Sequence, residues 1–321
     1  KYYYPTNDIV TGHDIIFFWI ARMIISGYEY RKESPFKNVY FTGMVRDKQG
    51  RKMSKQLGNS PDPLKLIEKY GADGVRIGML LCSPAGGDLL YDDKLPEQGR
   101  NFSNKIWNAF RLVNQWPVDE KIPQPEASVR AIKWFENKFS KMLEVLDNQF
   151  VEFRISEAVM TVYKFFWDEF SAWYLEMIKP AYQQPIDALT YNKTLEFFDK
   201  ILRVLHPFMP FITEEIWQLI SERKNGESIV TEQIPSISNY DEDLLNNCEM
   251  VKEIISSIRN IKKEKNIPQR ENVSLKVNPN SENYNNYADS IVMKLAGVES
   301  IEVVDNKVDG AASFIIKGNE Y

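Results

Sequence analysis

The spacing of apolar and polar positions separates the chain into three parts. Over residues 1–100, short β-branched and aromatic runs alternate with stretches that have apolar residues at helical spacing, which is typical of an α/β fold. The run "NVYFTGMV" (38–45) predicts a buried strand ending in a glycine turn, and "RDKQGRK" (46–52) predicts a hairpin tip. Asp62 and Pro63 predict a helix start, because Asp caps free backbone amides and Pro needs no hydrogen-bond partner there.

The second and third parts differ from the first in their periodicity. Residues 101–245 carry helical periodicity over several long segments, and polar or proline-containing linkers such as "PVDEKIPQPE" separate them. This pattern indicates an all-α helical bundle. Residues 246–321 begin with a helix and continue with "VSLKV", a further helix and "IEVV", which predicts a small α/β extension.

Composition and charge narrow the classes of protein. The chain has 321 residues, of which 43% are hydrophobic and 13% aromatic, enough for packed cores and unlike a disordered protein. Its formal net charge is −5, so any nucleic-acid surface has to be a local patch. Cys82 and Cys248 are too few for a disulfide framework or a cysteine-rich zinc site, and they fit a reducing cytoplasm. The longest apolar run, from Ile15 to Ile25, is too short to span a bilayer.

A basic loop is the first candidate site. The stretch "GRKMSKQLGNSPDP" (50–63) brings Arg51, Lys52 and Lys55 together on a segment with too many turn-forming residues for a helix. Because like charges repel, this cluster favours a negative partner, and its lysines, backbone amides and the Ser54 hydroxyl suit a polyphosphate. A solvated basic turn is the alternative, since most short clusters of this kind contact water.

A second candidate site lies in "VTGHDIIFFWIARMI" (10–24). Gly12 allows a backbone to approach a ligand closely, and Asp14 offers two acceptor oxygens, which suit the paired hydroxyls of a ribose. Asp14 as the N-cap of a buried helix is the alternative. Ile15 and Trp19 are four residues apart on one helix face, so they either border a small apolar pocket or belong to the core.

The first bundle helix is the third candidate site. In "NFSNKIWNAFRLV" (101–113), one face is apolar and the opposite face places two amides and a guanidinium in a row, which suits the exposed bases and phosphates of single-stranded RNA. A solvated face is the alternative. The apolar face comprises Phe102, Ile106, Phe110 and Val113, and the polar face comprises Asn104, Asn108 and Arg111. The later run "RNIKKEK" (259–265) is a further basic patch, for which a solvated helix is the favoured interpretation.

Together these motifs resemble the class I aminoacyl-tRNA synthetases over about residues 1–275. "KMSKQLGN" (52–59) is similar to the second signature motif of that family, with Gln56 in place of its final serine. "GHDIIFFW" (12–19) resembles the Gly-x-Asp segment of the valyl branch and lacks the Gln and second Gly of the isoleucyl branch. "FFWDEFSAWYLE" and "LHPFMPFITEEIW" resemble the anticodon-binding bundle of the valyl, isoleucyl and leucyl members.

The resemblance implies a role for each candidate residue. Lys55, with Lys52 in support, stabilises the triphosphate of ATP while the carboxylate of the amino acid attacks the α-phosphorus. Other residues bind ATP and the adenylate, border a pocket for a branched four-carbon side chain, or contact tRNA. They are Gly12, Asp14, Gly43, Met44, Val45 and Ser54 for ATP, Ile15 and Trp19 for the amino acid, and Asn104, Asn108 and Arg111 for tRNA.

We therefore expect a partial Rossmann-type nucleotide-binding domain over residues 1–100, an anticodon-binding helical bundle over 101–245 and a small α/β extension over 246–321. The valyl branch implies that valine and ATP, with Mg²⁺, form valyl-adenylate and that the valyl group passes to tRNA(Val). We expect a cytoplasmic monomer without a membrane or DNA partner. An isoleucyl member and a non-catalytic tRNA-binding relative stay open as alternatives.

The chain on its own is expected not to activate valine. Its sequence starts inside a folded pattern at Lys1, so we expect a fragment of a longer protein, and the first signature motif of the family, with its two histidines, is missing from it. ATP–pyrophosphate exchange with the purified chain and valine is the measurement. Exchange clearly above a blank without protein would contradict this expectation.

Overall fold

The structure is a computed structural model that describes residues 2–82, 86–279, 287, 289–306, 308 and 310–321. Its helices are α1 (Ala21–Ser26), α2 (Pro63–Tyr70), α3 (Ala72–Leu81), α4 (Lys94–Asn114), α5 (Glu126–Val151), α6 (Ile155–Lys164), α7 (Leu175–Ile178), α8 (Ala188–Leu205), α9 (Pro210–Ile220), α10 (Glu242–Glu264) and α11 (Asp289–Ala296). Its 3₁₀ and π-helical segments are His13–Ile15, Ile16–Ile20, Gly27–Arg31, Phe165–Tyr174 and Ile229–Thr231.

The strands are short and pair two by two. They are β1 (Thr6–Gly12), β2 (Phe36–Thr42), β3 (Val45–Arg46), β4 (Leu89–Leu90), β5 (Val118–Asp119), β6 (Ile186–Asp187), β7 (Val273–Val277), β8 (Val298–Val303), β9 (Ile315–Ile316) and β10 (Asn319–Glu320). The pairs β1–β2, β3–β4, β5–β6 and β7–β8 are parallel, and β9–β10 is antiparallel. An α/β beginning, a long helical middle and a small α/β end confirm the predicted fold class. No helix in the described part of the chain is long and apolar enough to cross a membrane.

By its internal packing the chain divides into two compact units, and the first contains residues 1–110, 144–164 and 199–235. Its β1 and β2 run in register from Thr6 opposite Phe36 to Gly12 opposite Thr42, with the helical segment around α1 as their crossover. The prediction of a buried β2 was wrong in part, since of its seven residues only Phe36 is buried. Within the described residues β1 is the only strand that pairs with β2, and most residues of this two-stranded sheet are exposed or half-buried.

Glycines let α3 and α4 approach to backbone contact in this unit. A Cβ atom on Gly78 would lie 2.3 Å from the carbonyl oxygen of Leu95, and one on Gly99 would lie 2.0 Å from that of Gly74. No side chain fits at these distances, so the crossing requires glycine on both helices.

Two side chains of α3 hold the turn between α8 and α9. Asp73 is buried, and its carboxylate accepts hydrogen bonds from the backbone amides of Phe211 (3.4 Å) and Ile212 (2.7 Å) in the first turn of α9. Arg76 donates to the carbonyl oxygens of Pro207 and Phe208. Burial raises the pKa of Asp73, and the amide hydrogen bonds oppose this rise. A carboxylate at a helix N-terminus satisfies amides that the helix itself leaves free.

An aromatic core holds the second unit, which contains residues 111–143, 165–198 and 236–321. The ring of Phe135 lies 4.6 Å from Tyr174, 4.9 Å from Phe197 and 5.5 Å from Phe170 between centroids. These residues and Trp134 are fully buried. Each such ring contributes about 1.5–3 kcal/mol through burial, with a further contribution from ring–ring geometry. In "FFWDEFSAWYLE" the prediction of core residues is confirmed for Phe165, Phe166, Phe170 and Tyr174, whereas Trp167 and Trp173 are half-buried.

Four charged residues form a closed group beside this core. The ammonium of Lys252 lies 2.5 Å from Glu169 and 3.1 Å from Glu249, and Lys138 lies 2.8 Å from Glu249 and 3.2 Å from Glu169. Lys252 is buried and also lies 4.8 Å from the centre of the Trp134 ring. Two lysines and two glutamates balance each other, which a buried charge requires.

The basic run "RNIKKEK" on α10 is partly structural. Lys262 is 1% exposed, and its ammonium donates to the carbonyl oxygens of Glu271, Ala296 and Gly297 at 2.6–3.1 Å. Arg259 donates to the carbonyl oxygen of Leu295 in the last turn of α11. Cations are favourable at a helix C-terminus because its carbonyl oxygens lack partners. These two residues therefore tie α10 to α11. The favoured interpretation of a solvated helix is wrong for the buried Lys262, whereas Arg259, Lys263 and Lys265 are exposed, as that interpretation predicts.

Replacing Gly99 by alanine is expected to destabilise the chain. The added Cβ would meet the Gly74 carbonyl oxygen, so the two helices would have to separate. Overpacking of this kind lowers the free energy of unfolding by about 1–3 kcal/mol, measured by urea unfolding followed by circular dichroism. The matched control is Gln98→Ala at the neighbouring, exposed position of α4. Equal stability of the two variants would show that the close helix crossing is absent.

Candidate functional site

The basic loop begins at a tight hairpin. Arg46 and Lys52 face each other in an antiparallel bridge, and the Asp47 amide donates to the Arg51 carbonyl oxygen at 2.9 Å. Gly50 occupies the left-handed region with φ +77°, which glycine adopts without steric cost. The predicted hairpin tip is therefore confirmed, and the lysines follow its second arm.

Asp47 organises the loop from inside this hairpin. Its Oδ1 accepts from the backbone amides of Gln49 (3.0 Å) and Arg51 (2.9 Å). Its Oδ2 accepts from Asn59 Nδ2 (2.9 Å) and from the Arg51 guanidinium (2.8 Å). Because all four donors favour the ionised form, with Asn59 contributing most, they hold the pKa of Asp47 well below its ordinary value. Sequence reasoning did not select Asp47, although an Asp before a Gly-containing turn is a known turn signal.

Asn59 closes the loop on its other side. Its Oδ1 accepts from the Ser54 amide at 2.9 Å, and its Nδ2 also reaches the Lys52 carbonyl oxygen at 3.4 Å. The Ser54 hydroxyl oxygen accepts from the Leu57 amide at 3.2 Å, which leaves its proton available to a ligand. The basic segment is therefore a hydrogen-bonded turn, and Asn59 is a second residue that sequence reasoning missed.

An ion pair joins the basic loop to the second candidate site. Lys52 Nζ lies 3.0 Å from Asp14 Oδ2, and the Lys52 and Asp14 side chains are 59% and 38% exposed. The hydrogen bond from Lys52 is the main cause that lowers the pKa of Asp14. A Cβ atom on Gly12 would lie 2.7 Å from Asp14 Oδ1, so a larger residue at this position would displace the carboxylate from its present place. The structure thus brings together Gly12, Asp14 and Lys52, which the sequence predicted separately.

The cations of the loop are in different states. Arg51 pairs with Asp47 and Lys52 pairs with Asp14. Lys55 is exposed, and the described part of the chain offers it no ion pair. Its charge is therefore available to an incoming anion, whereas the other two charges are already partly neutralised.

The end of β2 leads to the predicted adenine contacts. A Cβ atom on Gly43 would lie 1.4 Å from the Gly87 carbonyl oxygen, so the chain can pass here only as glycine. The Met44 amide donates to Asp88 Oδ1 at 3.2 Å, and Val45 accepts from the Met53 amide at 3.3 Å. Adenine recognition by the Met44 and Val45 amides stays a prediction, and for Met44 it requires exchange with the Asp88 carboxylate.

Asp88 is a third residue outside the sequence prediction. It accepts from the guanidinium of Arg46 as well as from Met44, and the Arg46 hydrogen bond is the main cause that lowers its pKa. Asp88 is 42 residues from Arg46 and 44 residues from Met44 along the chain, so no local sequence pattern predicts these two contacts.

The remaining predicted residues lie on helices. Ile15 is half-buried, and Trp19 in the adjoining π-helical segment is 57% exposed, so Trp19 is not core within the described chain. On α4, the apolar face predicted from the sequence is buried at 0–4% exposure, and the polar face is exposed. A contact between this polar face and RNA stays a prediction. The residues of that face are Asn104, Asn108 and Arg111.

Comparison with protein families gives two matches along the chain. Residues 1–92 match the family described as tRNA synthetases class I (I, L, M and V). Residues 132–277 match the family described as anticodon-binding domain of tRNA ligase. The first match contains the basic loop and Asp14, and the second contains most of the helical part.

Comparison with individual proteins agrees with these families. The chain is 58% identical to a valine–tRNA ligase of Parabacteroides distasonis and 58% identical to one of Phocaeicola vulgatus, in each case over its whole length. It spans 36% of the length of these relatives. The structure is similar to that of a LeuRS of Agrobacterium radiobacter K84, solved as a ternary complex with tRNA and LeuAMS. That similarity has a TM-score of 0.54 at 20% identity, and it covers 75% of this chain and 29% of the other.

Removing the Lys52 ammonium is expected to raise the pKa of Asp14. In Lys52→Met the carboxylate loses the hydrogen bond and the charge that now favour its ionised form, so its pKa moves up toward the ordinary value of about 3.9. Carboxyl ¹³C NMR titration of Asp14 measures this change. Lys55→Met removes the same charge from the same loop and is the matched control, with no change expected. An unchanged Asp14 pKa in Lys52→Met would mean that the pair does not form in solution.

Proposed function

Since this chain belongs to the class I aminoacyl-tRNA synthetases, we propose that it forms part of a valine–tRNA ligase, with residues for ATP chemistry in its first hundred and for tRNA binding in its helical part. The observation that carries this proposal is the 3.0 Å ion pair between Lys52 and Asp14, which brings a polyphosphate-type loop against a carboxylate suited to ribose. Identity of 58% to valine–tRNA ligases over the whole chain supports the choice of amino acid.

In the proposed reaction, a carboxylate oxygen of valine bonds to the α-phosphorus of ATP, and the bond between that phosphorus and the bridging oxygen to the β-phosphate breaks. Pyrophosphate leaves with the electron pair and valyl-adenylate remains. The valine carboxylate is ionised at neutral pH, so the step needs no general base from the protein. Charge grows on the phosphate oxygens, and stabilising that charge is what the site must do.

The loop residues divide this task. Lys55, whose charge is not engaged by an ion pair within the described chain, stabilises the leaving pyrophosphate, and Lys52 supports it once the phosphates compete with Asp14. The Ser54 hydroxyl proton is available to a phosphate oxygen. Mg²⁺ enters with ATP as part of that substrate.

The nucleoside and the amino acid occupy neighbouring residues in this proposal. Asp14 accepts from the ribose hydroxyls, and Gly12 leaves room for its carboxylate. Gly43 allows the chain to turn so that the backbone at 44–45 reaches the adenine edge. Ile15 and Trp19 border the pocket for the valine side chain, where shape alone discriminates by about 1–3 kcal/mol per methylene.

The tRNA would bind along the helical part. The exposed face of α4 offers two amides and a guanidinium to bases and phosphates, and the anticodon-binding family match that begins at residue 132 supports an RNA role for the bundle. We propose that residues 1–100 serve nucleotide chemistry, that residues 101–245 bind the anticodon, and that residues 246–321 form a small extension. Two free thiols, Cys82 and Cys248, support a reducing cytoplasmic location.

Binding to tRNA is expected to depend on the anticodon and on salt. Two transcripts that differ only in a valine or an isoleucine anticodon would be titrated with the chain at two salt concentrations. We expect tighter binding of the valine transcript and weaker binding of both as salt rises, because phosphate contacts release counterions. Equal, salt-sensitive binding of both would leave an RNA-binding bundle and remove the support for valine.

Substitution on α4 tests where that preference arises. Asn108→Ala and Arg111→Ala are expected to weaken binding about 5- to 150-fold, the range of one good base contact. Asn148→Ala, at an exposed asparagine on α5, is the matched control and should leave binding unchanged. If all three variants bind as the unsubstituted chain does, the α4 face is solvated surface.

A further inference from the structure

A rigid turn displays an aromatic side chain in the second unit. The segment "PAYQQP" (180–185) connects α7 to β6, and the Gln184 amide closes it by donating to the Ala181 carbonyl oxygen at 2.9 Å. Tyr182 and Gln183 are its central residues. Gln183 has φ +60°, a left-handed conformation that costs free energy for a residue with a side chain. Prolines at both ends restrict the backbone further.

The base of this turn is anchored. The Ile186 amide donates to the Pro117 carbonyl oxygen at 2.8 Å, where β6 begins its pairing with β5. Asp187 is buried and accepts from the Thr190 amide at 2.8 Å, which caps the start of α8. Thr190 in turn accepts from Gln124 at 3.1 Å. The turn is therefore held at its base by hydrogen bonds, and its exposure does not result from a frayed end.

Tyr182 is unusually exposed among the aromatic residues of the helical part of the chain. It is 88% exposed, whereas the other aromatic residues between positions 132 and 277 are buried or half-buried, with Phe211 at 64% as the one further exception. At 88% exposure the ring buries little surface against the described part of the chain, so it adds little to the stability of the fold. An aromatic side chain held this way is suited to a partner.

The chemistry of the tip selects the kind of partner. Between Lys179 and Asp187 the chain has no charged side chain, and Lys179 pairs with Glu176 at 3.5 Å. A phosphate therefore finds little attraction at the tip itself. A flat ring beside two amide side chains matches a nucleobase, which stacks on the ring and hydrogen-bonds along its edge.

One backbone hydrogen bond connects the segment after α4, which carries Arg111, to the segment after the turn. Arg111 precedes Pro117 by six residues and Tyr182 precedes Ile186 by four, and Pro117 and Ile186 are directly hydrogen-bonded. When fully extended, six residues reach at most about 21 Å and four at most about 14 Å, and these lengths bound the separation of Arg111 and Tyr182. Both segments also lie within the second compact unit. A cation suited to phosphate and a ring suited to a base therefore belong to the same compact unit.

We propose that Tyr182 stacks on an unpaired base of the tRNA anticodon loop, with the Gln183 and Gln184 amides at the edge of that base. This rests on the proposed function, and it assigns to the turn a contact separate from the face of α4. The exposure of Tyr182 and the strained, anchored turn are the observations that carry it.

The test is binding of the 321-residue chain to an RNA stem-loop with the valine anticodon. Tyr182→Ala is expected to raise Kd about 5- to 150-fold, the effect of losing one base–aromatic stack, and Tyr182→Phe to stay within about twofold. Leu189→Ala, at a 66% exposed apolar residue in the first turn of α8, is the matched control. With 2-aminopurine in the loop, stacking quenches the fluorescence, and Tyr182→Ala should lose this quenching. Thermal melting should be unchanged, since the ring is exposed.

The outcomes separate this inference from the proposed function. If the unsubstituted chain prefers the valine stem-loop and Tyr182→Ala binds equally well, the stacking contact is wrong and the function stands. If Tyr182→Phe loses as much as Tyr182→Ala, the hydroxyl and not the ring makes the contact, and stacking is again wrong. If the unsubstituted chain binds the stem-loop no better than a scrambled hairpin, the proposed function fails and this inference fails with it.

Discussion

The basic loop depends on the hydrogen bonds that the Asp47 carboxylate accepts. It binds two backbone amides of its own hairpin, the Arg51 guanidinium and the Asn59 amide, so one side chain connects both ends of the loop. Without a negative centre, three cations within five residues would repel one another and extend the segment. With it, Arg51 is neutralised and Lys52 is placed where it reaches Asp14. The geometry of the basic loop therefore depends on an acidic residue to which no chemistry is assigned.

Charge alone does not identify function in this chain. Lys262 and Lys55 both stand in lysine-rich runs, yet Lys262 is buried on three carbonyl oxygens and Lys55 is exposed. The difference lies in the partners that the fold offers. Lys262 lies beside carbonyl oxygens at the end of α11 that need a donor, whereas Lys55 has no such acceptor in the described chain. A cation that the fold uses to satisfy its own backbone cannot also serve a ligand without a large cost.

The amino acid and the reaction rest on the relatives as much as on the geometry. The chain matches valine–tRNA ligases over all of its length and spans 36% of theirs, and valine activation is therefore a proposal for the longer protein. What the geometry adds is a reason for the family's signature residues to occur together. Gly12 leaves the Asp14 carboxylate in its present place, and that carboxylate forms the ion pair with Lys52 of the basic loop.

Features that depend on a few neighbouring residues could be predicted from the sequence. The cap at Asp62, the hairpin at Gly50 and the buried and exposed faces of α4 all follow from hydrogen bonds or periodicity within about one helical turn. The tertiary structure alone decided contacts between distant positions. Asp14 meets Lys52 across 38 residues, Met44 meets Asp88 across 44, and Lys262 is buried by residues up to 35 positions away. Such contacts depend on how elements pack, and local pattern contains no information about which carboxylate or carbonyl a given lysine will reach.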